Sequence, residues 1–349
     1  MSDTVAADPI ACWDTLLAQA AHVLHHPSEA GFAPRLEALA DAIFAALARD
    51  PDAGVFALLH GEDAAGYAVT HALRTALVSA LVAERCGWSP SARRTLVRAG
   101  LTMNIAMLDL QNTLATQPTP PTSRQRAEIA SHAQRGRAML EAAGITDADW
   151  LDTITHHHVT PGGHALPRQH RDLCPLACMI HYTDVYLAKL SPRATRAAIA
   201  VNVAAREFHV SAGGADNPFV TAILQEMGIF PPGTFVKLRN GETAIVLRRG
   251  PNPGSPVVHS VMDRDGRPLP RPLARDTAQP EFKVVAALPR GQVPLHLDIR
   301  TTSDSGRPIV VDQPDSPHTQ VYKNIAGRVW KQLSANQRGA RKAPTIVVR

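Results

Sequence analysis

Gly228-Ile229-Phe230-Pro231-Pro232-Gly233-Thr234-Phe235-Val236-Lys237-Leu238-Arg239-Asn240-Gly241-Glu242 is where the chain turns from one kind of sequence into another. Two prolines between glycines stop a helical pattern, because proline lacks an amide hydrogen and restricts the residue before it. The next stretch, Thr234–Val246, is strand-like on both sides of Asn240-Gly241. That pair favours positive φ at both central positions of a tight hairpin. The chain up to Phe230 reads as helix, and the part after it reads as a small antiparallel sheet.

Working back from this point, the apolar residues recur at helical spacing. Residues 9–60 read as helices, with Trp13, Leu16, Leu17, Ala20 and Val23 on one face and Leu36, Leu39, Ile43 and Leu47 on another. Asp50-Pro51 ends the second run. A helix over 67–86 closes at Gly87, and Ser89-Pro90 starts a new one that continues over 91–110. Thr116–Ser123 reads as a loop, and helices resume at 123–143, 147–158, 175–190, 193–210 and 216–228. Working forward, Val257–Met262 and the residues after Asp265-Gly266 suggest a second strand pair, with short strands at Glu281–Ala287 and Val293–Leu297. Beyond about residue 300 the chain is polar, with one amphipathic patch at Ile325, Val329, Trp330 and Leu333. That patch suits a partner-binding helix or one that packs back on the body. The expected organisation is an N-terminal helical segment (1–60), a helical domain (61–230), a β module (231–300) and a basic, flexible tail (301–349).

A chain of 349 residues that is 45% hydrophobic can bury a sizeable core. No apolar run approaches the length of a membrane span, and the start has no basic segment followed by an apolar one. No membrane insertion and a cytoplasmic location are therefore expected. The four cysteines lack zinc-ribbon spacing and are expected to be reduced thiols. From residue 301 onward eight Lys/Arg face three Asp/Glu, which accounts for the whole net charge of +5. The basic character thus belongs to the tail, which suits an acidic partner, anionic lipid or nucleic acid, or simply solvent.

The chemistry sits on successive helices. His71 shares a face with Val78, Leu81 and Val82; His132 is followed four residues on by Gly136; His156-His157-His158 end a helix; Asp184 lies between Ile180 and Leu187. Each has an ordinary explanation: capping for His132 at a helix start, surface for the triplet, a satisfied core polar group for Asp184. Together, imidazoles and a carboxylate are what a transition-metal hydrolase site needs.

These segments resemble the HD-GYP domain, the branch of the HD superfamily that hydrolyses cyclic di-GMP. Asp50-Pro51-Asp52-Ala53 and Tyr67-Ala68-Val69-Thr70-His71 resemble the family's helix entry and first ligand histidine. Pro121–His132 resembles the segment leading to the next ligand, the His triplet resembles the family's His-His-Glu, and Asp184-Val185-Tyr186 with Leu190-Ser191-Pro192-Arg193 resembles the late ligand Asp and the stretch after it. The most specific match is Gly228–Glu242, similar to the family's exit into its β hairpin. The resemblance spans roughly residues 40–300 and implies a mainly α fold, an HD-domain helical bundle followed by a small antiparallel β module. It implies His71, His132, His156, His157 and Asp184 as metal ligands, with His156-His157 preferred to His157-His158 as the pair. It places Arg193, Arg196 and the loop Pro161–His170 near a nucleotide.

The departures are equally specific. Leu101-Thr102-Met103-Asn104-Ile105-Ala106-Met107 stands where the family reads Leu-Leu-His-Asp-Ile-Gly-Lys. Met103 and Asn104 occupy the lost His-Asp doublet, Met107 falls on the phosphate-contacting lysine, and Pro161-Gly162-Gly163-His164-Ala165-Leu166-Pro167 replaces the Gly-Tyr-Pro signature. A two-metal site holds its ions about 3.5–4 Å apart and needs a bridging anion. Asn104 offers a neutral oxygen instead. No residue is assigned as catalytic. The cofactor expected is one divalent transition metal (Fe, Mn or Zn), or none. The expected function is a catalytically impaired signalling protein acting as a cyclic-di-GMP receptor or a module for a protein partner, with a homodimer as one assembly. The alternative is a metal-dependent phosphodiesterase acting through a reduced site. Nucleic-acid binding by the tail is a third reading, without a recognised motif to support it.

Overall fold

The computed structural model describes residues 9–60, 65–158, 174–191, 194, 199–252, 254–289 and 293. It is mainly helical, with a five-stranded antiparallel sheet at the C-terminal end of the described chain. The helices are α1 (Pro9–His25), α2 (Phe32–Arg49), α3 (Pro51–His60), α4 (Tyr67–Arg85), α5 (Pro90–Thr102), α6 (Leu108–Thr116), α7 (Ser123–Ala142), α8 (Ala148–His156), α9 (Pro175–Leu190), α10 (Val201–Ser211) and α11 (Pro218–Met227).

Their ends follow local chemistry. Asp50 is pushed into an extended conformation ahead of Pro51, and its carboxylate accepts the Ala53 amide at the start of α3. Ser89 caps α5 with Pro90 in first position, Thr122 and Gln125 form a capping box on α7, and Asp147 caps α8. The start of α4 is capped from afar: Asn112 accepts the Ala68 amide at 2.8 Å.

α4 is the central helix, buried on every side from Tyr67 to Ala83. One continuous core runs from Trp13 on α1 to Met227 on α11, so α1–α3 pack as part of the helical body. α4 and α5 come into backbone contact: a Cβ on Gly100 would lie 2.7 Å from the Ala76 amide nitrogen. Among the described residues no helix is long and apolar enough to cross a membrane.

The expected helix over 91–110 is broken. α5 stops at Thr102, and Ile105–Met107 form a single 3₁₀ turn before α6 begins. Asn104 and Met107 both leave helical geometry (φ −110°, ψ 15° and φ −142°, ψ 26°). Asparagine competes locally for backbone hydrogen bonds, which favours a break at this position. The helix expected over 193–210 begins at Val201; Arg193 and Arg196 lie outside the described residues.

The strands are β1 (Phe235–Leu238), β2 (Thr243–Arg248), β3 (Val257–Met262), β4 (Pro268–Asp276) and β5 (Val284–Leu288), in the order β4-β3-β2-β1-β5. Asn240-Gly241 does mark the first hairpin, but not as its central pair. The Gly241 amide donates to the Leu238 carbonyl, so Arg239-Asn240 are central and Gly241 follows at φ 89°. This is the three-residue loop in which the glycine takes the left-handed bulge position. Asp263 and Gly266 repeat the arrangement between β3 and β4. Residues 294–297 of the expected last strand, and the tail 301–349 with its amphipathic patch, lie outside the described residues.

Side chains alternate across the sheet. Val236, Leu238, Ala244, Val246 and Val258 fill one face, while Phe235, Ile245, Val261 and Met262 pack on the other with Phe56 of α3. The sheet is also tied to the helices by charge. Arg248 pairs with Asp50, and Arg249 pairs with both Asp52 and Glu226.

Candidate metal centre

Three imidazoles converge between α7, the end of α8 and α9. His132 lies in the middle of α7, not at a helix start, so capping does not explain it. Its Nε2 is 3.2 Å from Nε2 of His157. His158 joins them, its ring centre 5.0 Å from that of His132 and 4.1 Å from that of His157. One donor atom from each of the three falls within 4.8 Å of the others.

His156, preferred in the sequence reading, is not in this cluster. It is exposed, and its Nδ1 bonds the Asp152 carbonyl at 2.8 Å. The spacing explains why. Trp150, Thr153, Ile154 and His157 fall on the buried face of α8, which places His156 about 100° round the helix. The chain leaves α8 at His157, and this brings His158 back to the cluster.

His71 and Asp184 form a separate pair. Nε2 of His71 is 2.6 Å from Oδ1 of Asp184, and the Tyr67 ring stacks on the His71 ring at 5.4 Å. Burial acts to raise the Asp184 pKa, but the hydrogen bond from His71 and the imidazoles around it outweigh this and hold the carboxyl well below the usual range. Nδ1 of His71 is buried with no hydrogen-bond partner among the described residues.

The tautomers follow from the backbone. Nδ1 of His132 contacts the Ile129 carbonyl at 2.5 Å, and Nδ1 of His157 contacts the Ile154 carbonyl at 2.6 Å. A carbonyl only accepts, so both Nδ1 atoms carry the proton and both Nε2 atoms present lone pairs. Two lone pairs facing each other at 3.2 Å repel unless a cation lies between them. Protonating either ring is disfavoured. Burial lowers the pKa of His132 and His158, and pushes His157 down to about 3. The spacing fits one ion, since two nitrogens on bonds of about 2.1 Å stand roughly 3.0–3.4 Å apart at right or tetrahedral angles. Each Nδ1–H held by a carbonyl is also the usual outer support of a metal-bound histidine. The chain thus fits one divalent ion on His132, His157 and His158, with the Asp184 charge close by.

The doublet position contributes differently. Met103 is fully buried in the apolar core, and Asn104 is buried with its side-chain oxygen unpartnered among the described residues. The 3₁₀ turn that follows packs on α7, with the Ile105 side chain facing Gly136.

Against solved structures, the chain matches an HDG"Y"P protein from Bdellovibrio bacteriovorus with a TM-score of 0.51 at 15% identity, over 64% of this chain and 74% of that one. In sequence it is 25% identical over 213 residues to a cyclic di-GMP phosphodiesterase of Pseudomonas aeruginosa, covering 60% of this chain. The chain therefore shares the fold of an HD-GYP protein and is distantly similar in sequence to a cyclic di-GMP phosphodiesterase. No protein-family model matches it. A second kind of relative matches short stretches only. An iron-sulfur cluster transfer protein of Dictyostelium discoideum is 48% identical over 61 residues, and an iron-sulfur cluster carrier protein of Escherichia coli is 44% identical over 43. The chain spans about half the length of the phosphodiesterase and a fifth or less of the iron-sulfur proteins.

The loop Pro161–His170, expected near a nucleotide, lies outside the described residues, as do Arg193 and Arg196. The sequence reading missed His181. It sits three residues before Asp184 on α9, and its Nδ1 bonds the His157 carbonyl at 2.8 Å.

The buried His157 sets a pH dependence. His157 titrates near its ordinary value of about 6.5 when unfolded and near about 3 when folded. Between these values the unfolded chain binds the extra proton, so stability rises with pH. In metal-free protein this contribution is complete above about pH 6.5 and is lost as pH falls toward 3, at up to roughly 1.4 kcal/mol per pH unit. Asp184 does not interfere, because its depressed pKa acts only below the ordinary carboxylate range. Urea midpoints at pH 7 and pH 5 in EDTA measure the slope; His132 and His158, whose pKa values burial also lowers, add to it with the same sign, so His157→Gln is expected to reduce it without abolishing it.

Proposed function

We propose that this chain is an HD-GYP protein that acts in cyclic-di-GMP signalling, holding a single divalent ion on imidazoles and binding the nucleotide with little or no turnover. The observation that supports this most is the asymmetry of the site. Three neutral imidazoles still converge, while the position of the bridging carboxylate holds the buried, uncharged Asn104. A divalent ion bound there would supply Lewis acidity and draw the pKa of a coordinated water toward 7.

The chain's own residues divide the remaining work. His132 and His157 present their Nε2 lone pairs through Nδ1–H bonds to carbonyls, the His158 ring packs against both, and Asp184 contributes negative charge beside them. Asn104 offers a neutral oxygen and no charge compensation for a second dication. Met107 brings no cation to a phosphate. Losing electrostatic stabilisation commonly costs 10²–10³ in rate for each donor, and here two such groups are replaced together. Arg193 and Arg196 are proposed to contact the nucleotide's phosphates, and a protein partner or second copy to receive the signal. A residual one-ion phosphodiesterase is the second reading, favoured by the same imidazole cluster.

Metal analysis of the purified protein, with cyclic di-GMP calorimetry and hydrolysis assays in Mn²⁺ and Fe²⁺, tests this. About one ion per chain is expected, lost in His132→Ala, with nucleotide bound and recovered intact. Turnover that disappears in His132→Ala would establish the second reading. No metal and no nucleotide binding would overturn both.

A further inference from the structure

Two short contacts in this part of the fold differ in what can lie between their atoms. Two donors on one ion, with bonds of about 2.1 Å, stand at least roughly 3.0 Å apart at right or tetrahedral angles. The Nε2 atoms of His132 and His157, at 3.2 Å, meet that requirement. Nε2 of His71 and Oδ1 of Asp184, at 2.6 Å, do not. Their separation is that of a charge-assisted hydrogen bond. An ionised carboxylate only accepts, so Nε2 of His71 carries the proton and presents no lone pair to a metal.

The pair is held in this form. His71 is 1% exposed on the central helix α4, and the Tyr67 ring lies over its own at an angle of 9°. Asp184 keeps 15% of its side chain exposed, and His158 is exposed as well, whereas His132 and His157 are buried. Asp184 and His158 are thus the members of this group that solvent reaches. The Asp184 charge acts on all three clustered imidazoles. Three neutral imidazoles leave the charge of a dication uncompensated in a largely buried place, and a carboxylate close by offsets it without having to bind.

We propose that the His71–Asp184 pair stays outside the ion's ligand set: Asp184 acts on the ion as an outer-sphere carboxylate, and His71 is the positioning residue that keeps it from binding directly. This rests on the one-ion reading above. It divides the polar side chains of these helices into three ligands (His132, His157 and His158) and a two-residue latch. The ion's remaining positions are left to water or to an incoming ligand.

The test uses Co²⁺ as probe in the full chain after chelation, with affinity read by chelator competition and the ligand set by the visible absorption bands. Asp184→Asn removes the charge and keeps the shape. Binding about 10–100-fold weaker is expected, the usual cost of losing an outer partner, with the bands in place. His71→Ala opens the latch; the freed carboxylate is then expected to join the ion and alter the bands without loss of affinity. His71→Gln restores an N–H donor at the Nε2 position, so wild-type bands and affinity are expected to return. Altered bands in Asp184→Asn, or binding weakened about tenfold or more in both His71 variants, would make these residues ligands and overturn the proposal. Wild-type affinity in Asp184→Asn, or wild-type bands in His71→Ala, would overturn it too, leaving the pair a purely structural contact. Should His71→Ala fail to fold, Asp184→Asn and His71→Gln decide. If the unmodified chain binds no Co²⁺ at all, the one-ion reading itself fails and the outer-sphere role with it.

Discussion

Asn104→Asp is expected to destabilise the metal-free protein and to strengthen its hold on metal. The side chain is buried, and its oxygen has no partner among the described residues. A carboxylate there either stays charged without compensation or takes up a proton at a raised pKa, and either route costs roughly 3–5 kcal/mol at neutral pH. For a chain of this size that corresponds to a drop of roughly 10 °C in melting temperature. Added Mn²⁺ or Zn²⁺ should restore most of the loss, because binding to the folded state alone stabilises by mass action. Met103→His combined with Asn104→Asp should raise the metal content from one ion toward two. Calorimetric melting with and without EDTA, alongside metal analysis, measures both effects. A variant as stable as the parent without metal, and unchanged in metal content, would show that position 104 does not face the imidazoles.

The second large effect is steric. Gly100→Ala places a methyl group 2.7 Å from the Ala76 nitrogen and 2.8 Å from its Cα. Both are backbone atoms of the central helix, so no side-chain rotation relieves the clash. α5 would have to move away from α4 along their shared interface, opening packing around Leu96, Val97 and Leu101. Overpacking of this kind costs about 1–3 kcal/mol where side chains can yield, and more is expected against a rigid helix backbone. The readout is the urea midpoint. Gly136→Ala is the internal control, because its new methyl group would meet only Ile105 at an ordinary 3.5 Å.

Much of the fold could be read from local pattern. The change from helix to strand at Gly228–Glu242 is written in prolines, glycines and alternating apolar residues, and α9 has the same bounds in sequence and structure. What could not be read depends on contacts distant in sequence. Periodicity carries an apolar helix smoothly through Leu101–Leu110 and gives no sign that Met103 turns into the core while Asn104 breaks the turn. Within the His triplet the buried spacing from Trp150 and Ile154 to His157 was available, and it argues against His156. His158 comes into play only because the chain leaves α8 after His157, an event set by tertiary packing. His71 and Asp184 stood out as polar residues on apolar helices, but their pairing spans 113 residues. His181 carried one usable signal, its position three residues before Asp184 on the same helix.

The bonds from Arg248 and Arg249 to Asp50 and Asp52 span 198 and 197 residues. During synthesis the two aspartates therefore leave the ribosome long before their partners exist. At 5–20 residues per second the interval is about 10–40 s. Throughout it, the start of α3 keeps two carboxylates in a place destined for burial, where their charge favours contact with water over early docking. The helical body is thus expected to close on α3 only once β2 has emerged. A nascent chain halted before Arg248 should stay sensitive to proteases near Asp50, and one halted after β4 should not.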